Sequence, residues 1–523
     1  MDFLIHHMLQ TSAKRLPDKE AVVHGQERLT YKELLDRVES LAAGLRLAGV
    51  ERGDRVGIYL EASVAQVISI FAVSRAGGVF VPINAELFRD QVGHIVRDCS
   101  MKVLITSASR AADLVSVLNS ISTLSVVVTT GNAGQEALNV PVHSFENLLN
   151  VEPDSTLTYG AISKDLAAIL YTSGSTGKPK GVMLSHANVM AGASIVSTYL
   201  GITENERILA ALPFSFDAGL NQLTTAIQQG GTIVLIRFMF GRDVVQKLVE
   251  EKITGLAGVP TVWSLLAQPS SGLQKHQLPH LRYITNTGGA MPQTVLKTLR
   301  TLLPTTKVVL MYGLTEAFRS TYLPPEELDR RPTSMGKAIP DTEILVINEH
   351  GQECKPGEIG ELVHRGPTVS LGYWGNPEAT ARVLRPNPLA LREIGDQERV
   401  CYSGDLVKKD EDGFLYYVGR RDTMIKCSGH RISPTEIEEV LFQSGQVRQA
   451  AVIGIPDDVM GQVVKAFVVA RDGAEVEVQK LLAYCGERVP RYMIPRRVDV
   501  LDELPKTTSG KVDYPALRRR EGI

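Results

Sequence analysis

Short apolar runs and amphipathic stretches alternate along the first three hundred residues of this chain. Residues 56–60 (VGIYL), 79–83 (VFVPI), 103–106 (VLIT) and 126–129 (VVVT) are rich in β-branched residues, and they predict buried strands. Between them, residues 64–75 and 91–99 carry the spacing of helices. Leu29-Thr-Tyr-Lys-Glu-Leu34 opens a helix, with Thr30 at the N-cap and Glu33 three residues on as a capping box. The rhythm continues with strands at 166–171, 207–212, 232–236, 281–285 and 308–312 and helices at 188–200 and 222–229. A further helix starts at Thr261. Strands alternating with helices imply parallel sheet with crossover helices.

After Gly336 the pattern changes. Residues 342–347, 360–365 and 413–418 are short strands separated by Gly, Pro and Asp, which predict a β-rich subdomain. Gly419-Arg-Arg-Asp422 then leads into about a hundred residues of βαβ-like pattern: a helix at 434–443, strands at 450–454 and 464–470, and a helix at 477–488. The expected fold class is α/β. Residues 1–420 would form a large domain of mixed and parallel α/β subdomains, with about 337–420 as its β-rich part. Residues 421–523 would form a small mobile α+β domain.

Composition narrows the function. The 523 residues are 44% hydrophobic and 22% charged, as in a soluble globular protein. A net charge of −2 gives no global field toward nucleic acid or anionic membrane. Cys99, Cys354, Cys401, Cys427 and Cys485 form no C-x-x-C pair, so neither zinc nor a disulfide framework is indicated, and a cytoplasmic setting fits. The start, MDFLIHHMLQTSAKR, lacks the long apolar region of a signal peptide. Residues 64–83 are interrupted by Gln66, Arg75 and Gly77-Gly78, so they do not read as an integral membrane segment.

One stretch carries the chemistry. Residues 172–182 read TSGSTGKPKGV and follow a buried strand. A hydroxyl-rich glycine loop with two ammonium groups can cradle a polyphosphate. The string is not a Walker loop, because Gly174 and Gly177 are three apart and Pro179 follows Lys178. Four further motifs lie downstream: Gly288-Gly289-Ala290, Tyr312-Gly-Leu-Thr315-Glu316, Tyr402-Ser-Gly-Asp405 and Gly419-Arg420-Arg421-Asp422. A last one, Pro505-Lys-Thr-Thr-Ser-Gly-Lys511, closes the chain.

These strings, in this order, resemble the adenylate-forming (AMP-binding) superfamily, which includes acyl-CoA synthetases, peptide-synthetase adenylation domains and luciferase. The resemblance implies that Thr172, Ser173, Gly174, Ser175, Thr176, Gly177 and Lys180 cradle ATP phosphates. It assigns Gly288, Gly289, Ala290 and Tyr312 to adenine, and Asp405 and Arg420 to ribose. Glu316 would hold Mg2+, Thr315 would meet phosphate, and Lys511 would stabilise charge at the α-phosphate. Asp422 would be the hinge, and Gly429 would leave room for a pantetheine arm. The implied reaction is ATP-dependent conversion of a carboxylic acid to acyl-AMP with release of pyrophosphate, then transfer to the thiol of CoA or of a separate carrier protein. With no carrier extension after Lys511, the chain is expected to be a free-standing ligase.

The acyl pocket is less regular. By resemblance Phe216, Asp217, Asn221, Thr287 and Arg319 line it. Many acyl-CoA synthetases have a histidine where Phe216 stands, whereas Phe216-Asp217 is similar to the pair that holds the substrate ammonium in amino-acid adenylation enzymes. Residues 315–332 and the FDAGLNQL segment resemble bacterial stand-alone acyl-CoA ligases associated with exosortase systems. A structural Asp217–Arg319 bridge is the plain alternative, because a buried unpaired carboxylate is costly. Amino-acid adenylation is the second functional reading. A nucleotide-binding regulator without catalysis is the third, opposed by the presence of both Lys511 and Glu316.

Overall fold

The Glu33 amide donates to Thr30 Oγ1 at 3.2 Å and the Thr30 amide to the Glu33 carboxylate at 2.8 Å, so the capping box opens the helix Tyr31–Leu47 as its residues predict. The computed structural model describes residues 2–131, 138–153, 161–172, 179–391, 393, 398–421, 423–427, 430–457, 460–471, 473–507 and 510–523.

Two large sheets dominate the N-terminal part. In the first, Gly255–Gly258, Arg207–Ala210 and Thr232–Leu235 form a parallel centre with Tyr283–Asn286 and Lys307–Leu314 on one side and Glu20–His24 on the other. In the second, Leu166–Thr172, Val79–Pro82, Arg55–Tyr59, Val103–Ser107 and Val126–Thr130 lie parallel. Phe80 from the second sheet, Ile208 and Ile233 from the first, and Val67, Ile70, Leu220 and Leu223 from helices share one apolar cluster. The helices Val64–Arg75 and Asp217–Gln229 are therefore packed between the sheets, which explains why both are buried on most faces. Separate clusters around Trp263 and around Leu104 cover the outer faces.

A smaller sheet is built from Glu343–Ile347, Ile359–Arg365, Leu384–Pro386, Arg399–Lys409 and Leu415–Arg420. Beyond it, Val447–Asp457 and Gly461–Ala470 form an antiparallel pair, and Arg497–Leu501 runs parallel to the latter after the helix Val478–Gly486. The fold is thus mixed α/β, with a large N-terminal and a small C-terminal domain.

Several expectations need correction. The parallel sheets have antiparallel edges: Ala317–Leu323 turns back on Lys307–Leu314, and Lys180–Ser185 turns back on Leu166–Thr172. The helix expected at 222–229 starts at Asp217. A Cβ at Gly219 would lie 1.9 Å from the Pro213 carbonyl oxygen, so only glycine lets the first turn pack this close. Residues 399–409 form one long strand through the Tyr402–Asp405 motif, because a bulge and Gly404 at φ +73° absorb the irregularity. The buried helix Ile5–Arg15 lies in a segment for which the residue pattern, lacking a signal-peptide region, predicts no element.

Candidate active site

The expected site residues lie where strands of both sheets end, the usual position of ligands in open α/β sheets. Thr172 ends Leu166–Thr172 and pairs with Lys180 across the antiparallel ladder, so the two hold the base of the glycine-rich loop. Ser173, Gly174, Ser175, Thr176 and Gly177 lie outside the described residues. The Lys180 ammonium stands 5.6 Å from the centre of the Tyr373 ring. The Tyr373 hydroxyl in turn donates to Glu316 Oε1. Burial and the Glu316 charge push the Tyr373 phenol well above its ordinary pKa, so it stays a donor. Tyr373 therefore joins the base of the phosphate loop to the carboxylate expected to bind metal, and sequence reasoning missed it. Its only signal was an aromatic pair, Tyr373-Trp374, in a glycine-rich turn.

Thr315 and Glu316 form the tight turn between Leu314 and its partner Ala317. The Ser370 amide donates to the Glu316 carbonyl at 2.9 Å and fixes the turn. Both residues are partly exposed. Among the described residues, no cluster of three or more His, Cys, Asp or Glu could hold a metal ion alone. Glu316 thus offers one hard oxygen donor, which suits Mg2+ whose other ligands are phosphate oxygens and water.

Tyr312, Asp405 and Arg420 come together. The Tyr312 hydroxyl donates to Asp405 Oδ2. Arg420 Nη1 lies 3.3 Å from Asp405 Oδ1, and Asp405 and Arg420 face each other across adjacent strands. Burial, then the Asp405 charge, holds the Tyr312 phenol well above its ordinary pKa. Arg421 pairs with Glu361 at 3.0 Å, and Glu361 also accepts from the Gly404 amide at 3.0 Å. This arrangement fixes Asp405 as a charged acceptor for hydroxyl groups.

The glycine turn follows the strand Tyr283–Asn286. The Asn286 amide group donates to the Gly289 carbonyl at 2.8 Å, and Gly288 takes φ +77°. Ala290 continues the turn toward the helix Gln293–Leu302. A Cβ on Gly288 would lie 3.2 Å from Val259 and 3.6 Å from Lys511 Cε. The exposed Lys511 is thereby brought to the same turn.

In the pocket expected for the acid, Phe216 is the N-cap of Asp217–Gln229 and Asp217 its first residue. Asn221 is buried one turn on, and its Nδ2 has no partner. Arg319 does not pair with Asp217; Arg319 Nη1 donates to Thr287 Oγ1 at 3.0 Å. Among the described residues Asp217 makes no ion pair, so a structural Asp217–Arg319 bridge is not formed. Asp422 and Gly429 lie outside the described residues.

The chain matches the family model described as AMP-binding enzyme over residues 9–374 and that of its C-terminal domain over residues 436–511. It is 34% identical over 516 residues to a feruloyl-CoA synthase of Amycolatopsis sp., spanning 98% of this chain and 97% of that protein. Its structure superposes on the anthranilate CoA ligase AuaEII in complex with anthranoyl-AMP, with TM-score 0.89, 26% identity, and coverage of 99% and 97%. It also superposes on the o-succinylbenzoate CoA synthetase of Bacillus subtilis in complex with ATP and magnesium, with TM-score 0.83, 28% identity, and coverage of 98% and 99%. The chain belongs to the AMP-binding enzyme family. Within that family it is an AMP-forming acid–thiol ligase: with ATP and Mg2+ it converts a carboxylic acid to acyl-AMP and then to a thioester.

Proposed function

We propose that the acid is polar and amino-bearing rather than a long alkyl chain, and that CoA accepts it. The observation that supports this is Asp217, a carboxylate at the start of a helix packed between the two sheets, with no cationic partner among the described residues. A partly buried carboxylate gains most from a cationic partner, and a substrate ammonium supplies one. The CoA reading draws on the relatives named above; a carrier-protein thiol presents the same arm. The five cysteines are free and buried, which agrees with a reducing, cytoplasmic setting.

The site residues take the following roles in this proposal. Lys180, with the loop it closes, meets the triphosphate. Asp405 and Arg420 fix the ribose, and the turn Gly288–Ala290 with Tyr312 faces adenine. Glu316, held by Tyr373, would hold Mg2+, which when bound would supply positive charge against the phosphates. A carboxylate oxygen of the acid attacks the α-phosphorus and the bond to pyrophosphate breaks. Lys511 and Thr315 stabilise the charge that develops there. The C-terminal domain then pivots near Asp422, and the thiol sulfur reaches the acyl carbon past Gly429. The C–S bond forms, AMP leaves with its electron pair, and the thiol proton passes to solvent.

Pyrophosphate exchange with paired amino and des-amino acids tests the substrate reading. Asp217→Ala should raise KM for the amino acid far more than for its des-amino analogue. A wild type that prefers medium or long fatty acids, with no effect of Asp217→Ala, would exclude it.

A further inference from the structure

Arg319 is 3% exposed, and among the described residues it has no carboxylate within ion-pair distance. Among the described residues its side chain makes one hydrogen bond, from Nη1 to Thr287 Oγ1, and its Nε is buried without a partner. The charge on a guanidinium stays in place at any pH the protein meets, so this site cannot relieve itself by losing a proton. A buried cation answered by a single neutral hydroxyl is a poor arrangement for the free protein and a good one for binding an anion.

The backbone supports the same reading. Tyr312 pairs with Thr321 and Leu314 with Ala317, so Phe318, Arg319 and Ser320 bulge out against Gly313 alone. Arg319 takes φ +67°, a left-handed conformation that a long side chain seldom adopts. Bulges of this kind re-aim a side chain and cluster beside active sites. Here the result brings the guanidinium to Thr287, the residue before Gly288, where Lys511 arrives. The lysine and the buried arginine therefore approach neighbouring residues of one turn. The phenol of Tyr199, stacked on Tyr322 at 4.4 Å between ring centres, is close enough to feel the Arg319 charge.

We propose that the acid carries a second carboxylate, held by Arg319 and Thr287 while the first is activated beside Lys511. The substrate class is then a short dicarboxylic acid that also bears the amino group proposed to meet Asp217, and Arg319 sets specificity through a bidentate contact that a neutral group cannot match. This rests on reading Thr287 and Arg319 as lining the acyl pocket of the ligase.

The test is pyrophosphate exchange by wild type, Arg319→Met and Arg319→Lys with three acids of matched length: a dicarboxylate, its monoamide and the monocarboxylate. Wild type should favour the dicarboxylate over the monocarboxylate in kcat/KM by about 100-fold or more, the scale of rejecting a substrate that leaves a buried polar group unpaired. Arg319→Met should remove that preference, bringing kcat/KM for the dicarboxylate down to that for the monocarboxylate, and Arg319→Lys should keep part of it. Thermal stabilisation of the wild type by the dicarboxylate in the presence of AMP should exceed that by the monocarboxylate, and this needs no variant to fold. Equal use of the acids by the wild type, or an equal loss for all three in Arg319→Met, overturns the proposal and leaves the ligase reading standing. Absence of exchange with every acid overturns both.

Discussion

Lys511 meets Gly288: the Cε of the lysine lies 3.6 Å from where a Gly288 Cβ would be. Gly288 is on the large domain, and Lys511 on the C-terminal segment that folds back through the Lys506–Val512 bridge. A side chain at 288 would also press on Val259, 3.2 Å away, and would need the left-handed backbone that glycine takes freely. Gly288→Val should therefore lower acid-dependent pyrophosphate exchange at least tenfold by displacing the lysine, while the protein remains folded by circular dichroism. Unchanged exchange would show that this contact is incidental.

Tyr373 offers a second test, because among the described residues its hydroxyl donates to the carboxylate expected to hold the metal. Tyr373→Phe removes a hydrogen bond to a charged group, a change of about 1.5–3 kcal/mol. A higher magnesium requirement and a rise of roughly tenfold or more in KM for Mg-ATP should follow, with KM for the acid little changed. The magnesium dependence of exchange measures this directly.

Stability should depend on pH through Glu438. Its Oε1 accepts from the Val452 amide at 2.8 Å and from the Tyr514 hydroxyl at 2.7 Å, and burial raises its pKa from the ordinary 4.5 to about 7. The folded state thus holds a proton that the unfolded chain releases above pH 4.5. The associated stability is full below pH 4.5 and is lost as pH rises through 7. At about 1.4 kcal/mol per pKa unit, discounted for partial exposure, the effect is about 1–2 kcal/mol. Glu438→Gln should flatten the dependence of Tm on pH across this window and raise Tm above pH 7. A variant with the wild-type slope would contradict this reading.

Much of the candidate site can be proposed from the sequence because each motif carries its own chemistry. A hydroxyl-rich loop, a strand-end Thr315-Glu316 turn and Asp405 can each be read from local residue types. Their meeting is a matter of sheet order, which no local pattern states. Tyr373 lies far from Glu316 in sequence and finds it only because Gly372–Tyr373 pairs with Lys180–Ser185 at a sheet edge. Arg319 could be placed near the pocket, but that no counter-ion reaches it among the described residues depends on tertiary neighbours. Gly219 shows the converse: the helix starts at Asp217 rather than at 222, with a first turn whose close packing against Pro213 only a tertiary neighbour reveals.

The most direct measurement compares the two half-reactions of Lys511→Ala. Acid-dependent pyrophosphate exchange reports activation, and thioester formation from a supplied acyl-adenylate reports transfer. Loss of the lysine should weaken activation by about 3–4 kcal/mol, the scale of removing one oxyanion donor, while transfer stays near wild type. Equal losses in both would contradict a lysine that serves the α-phosphate alone.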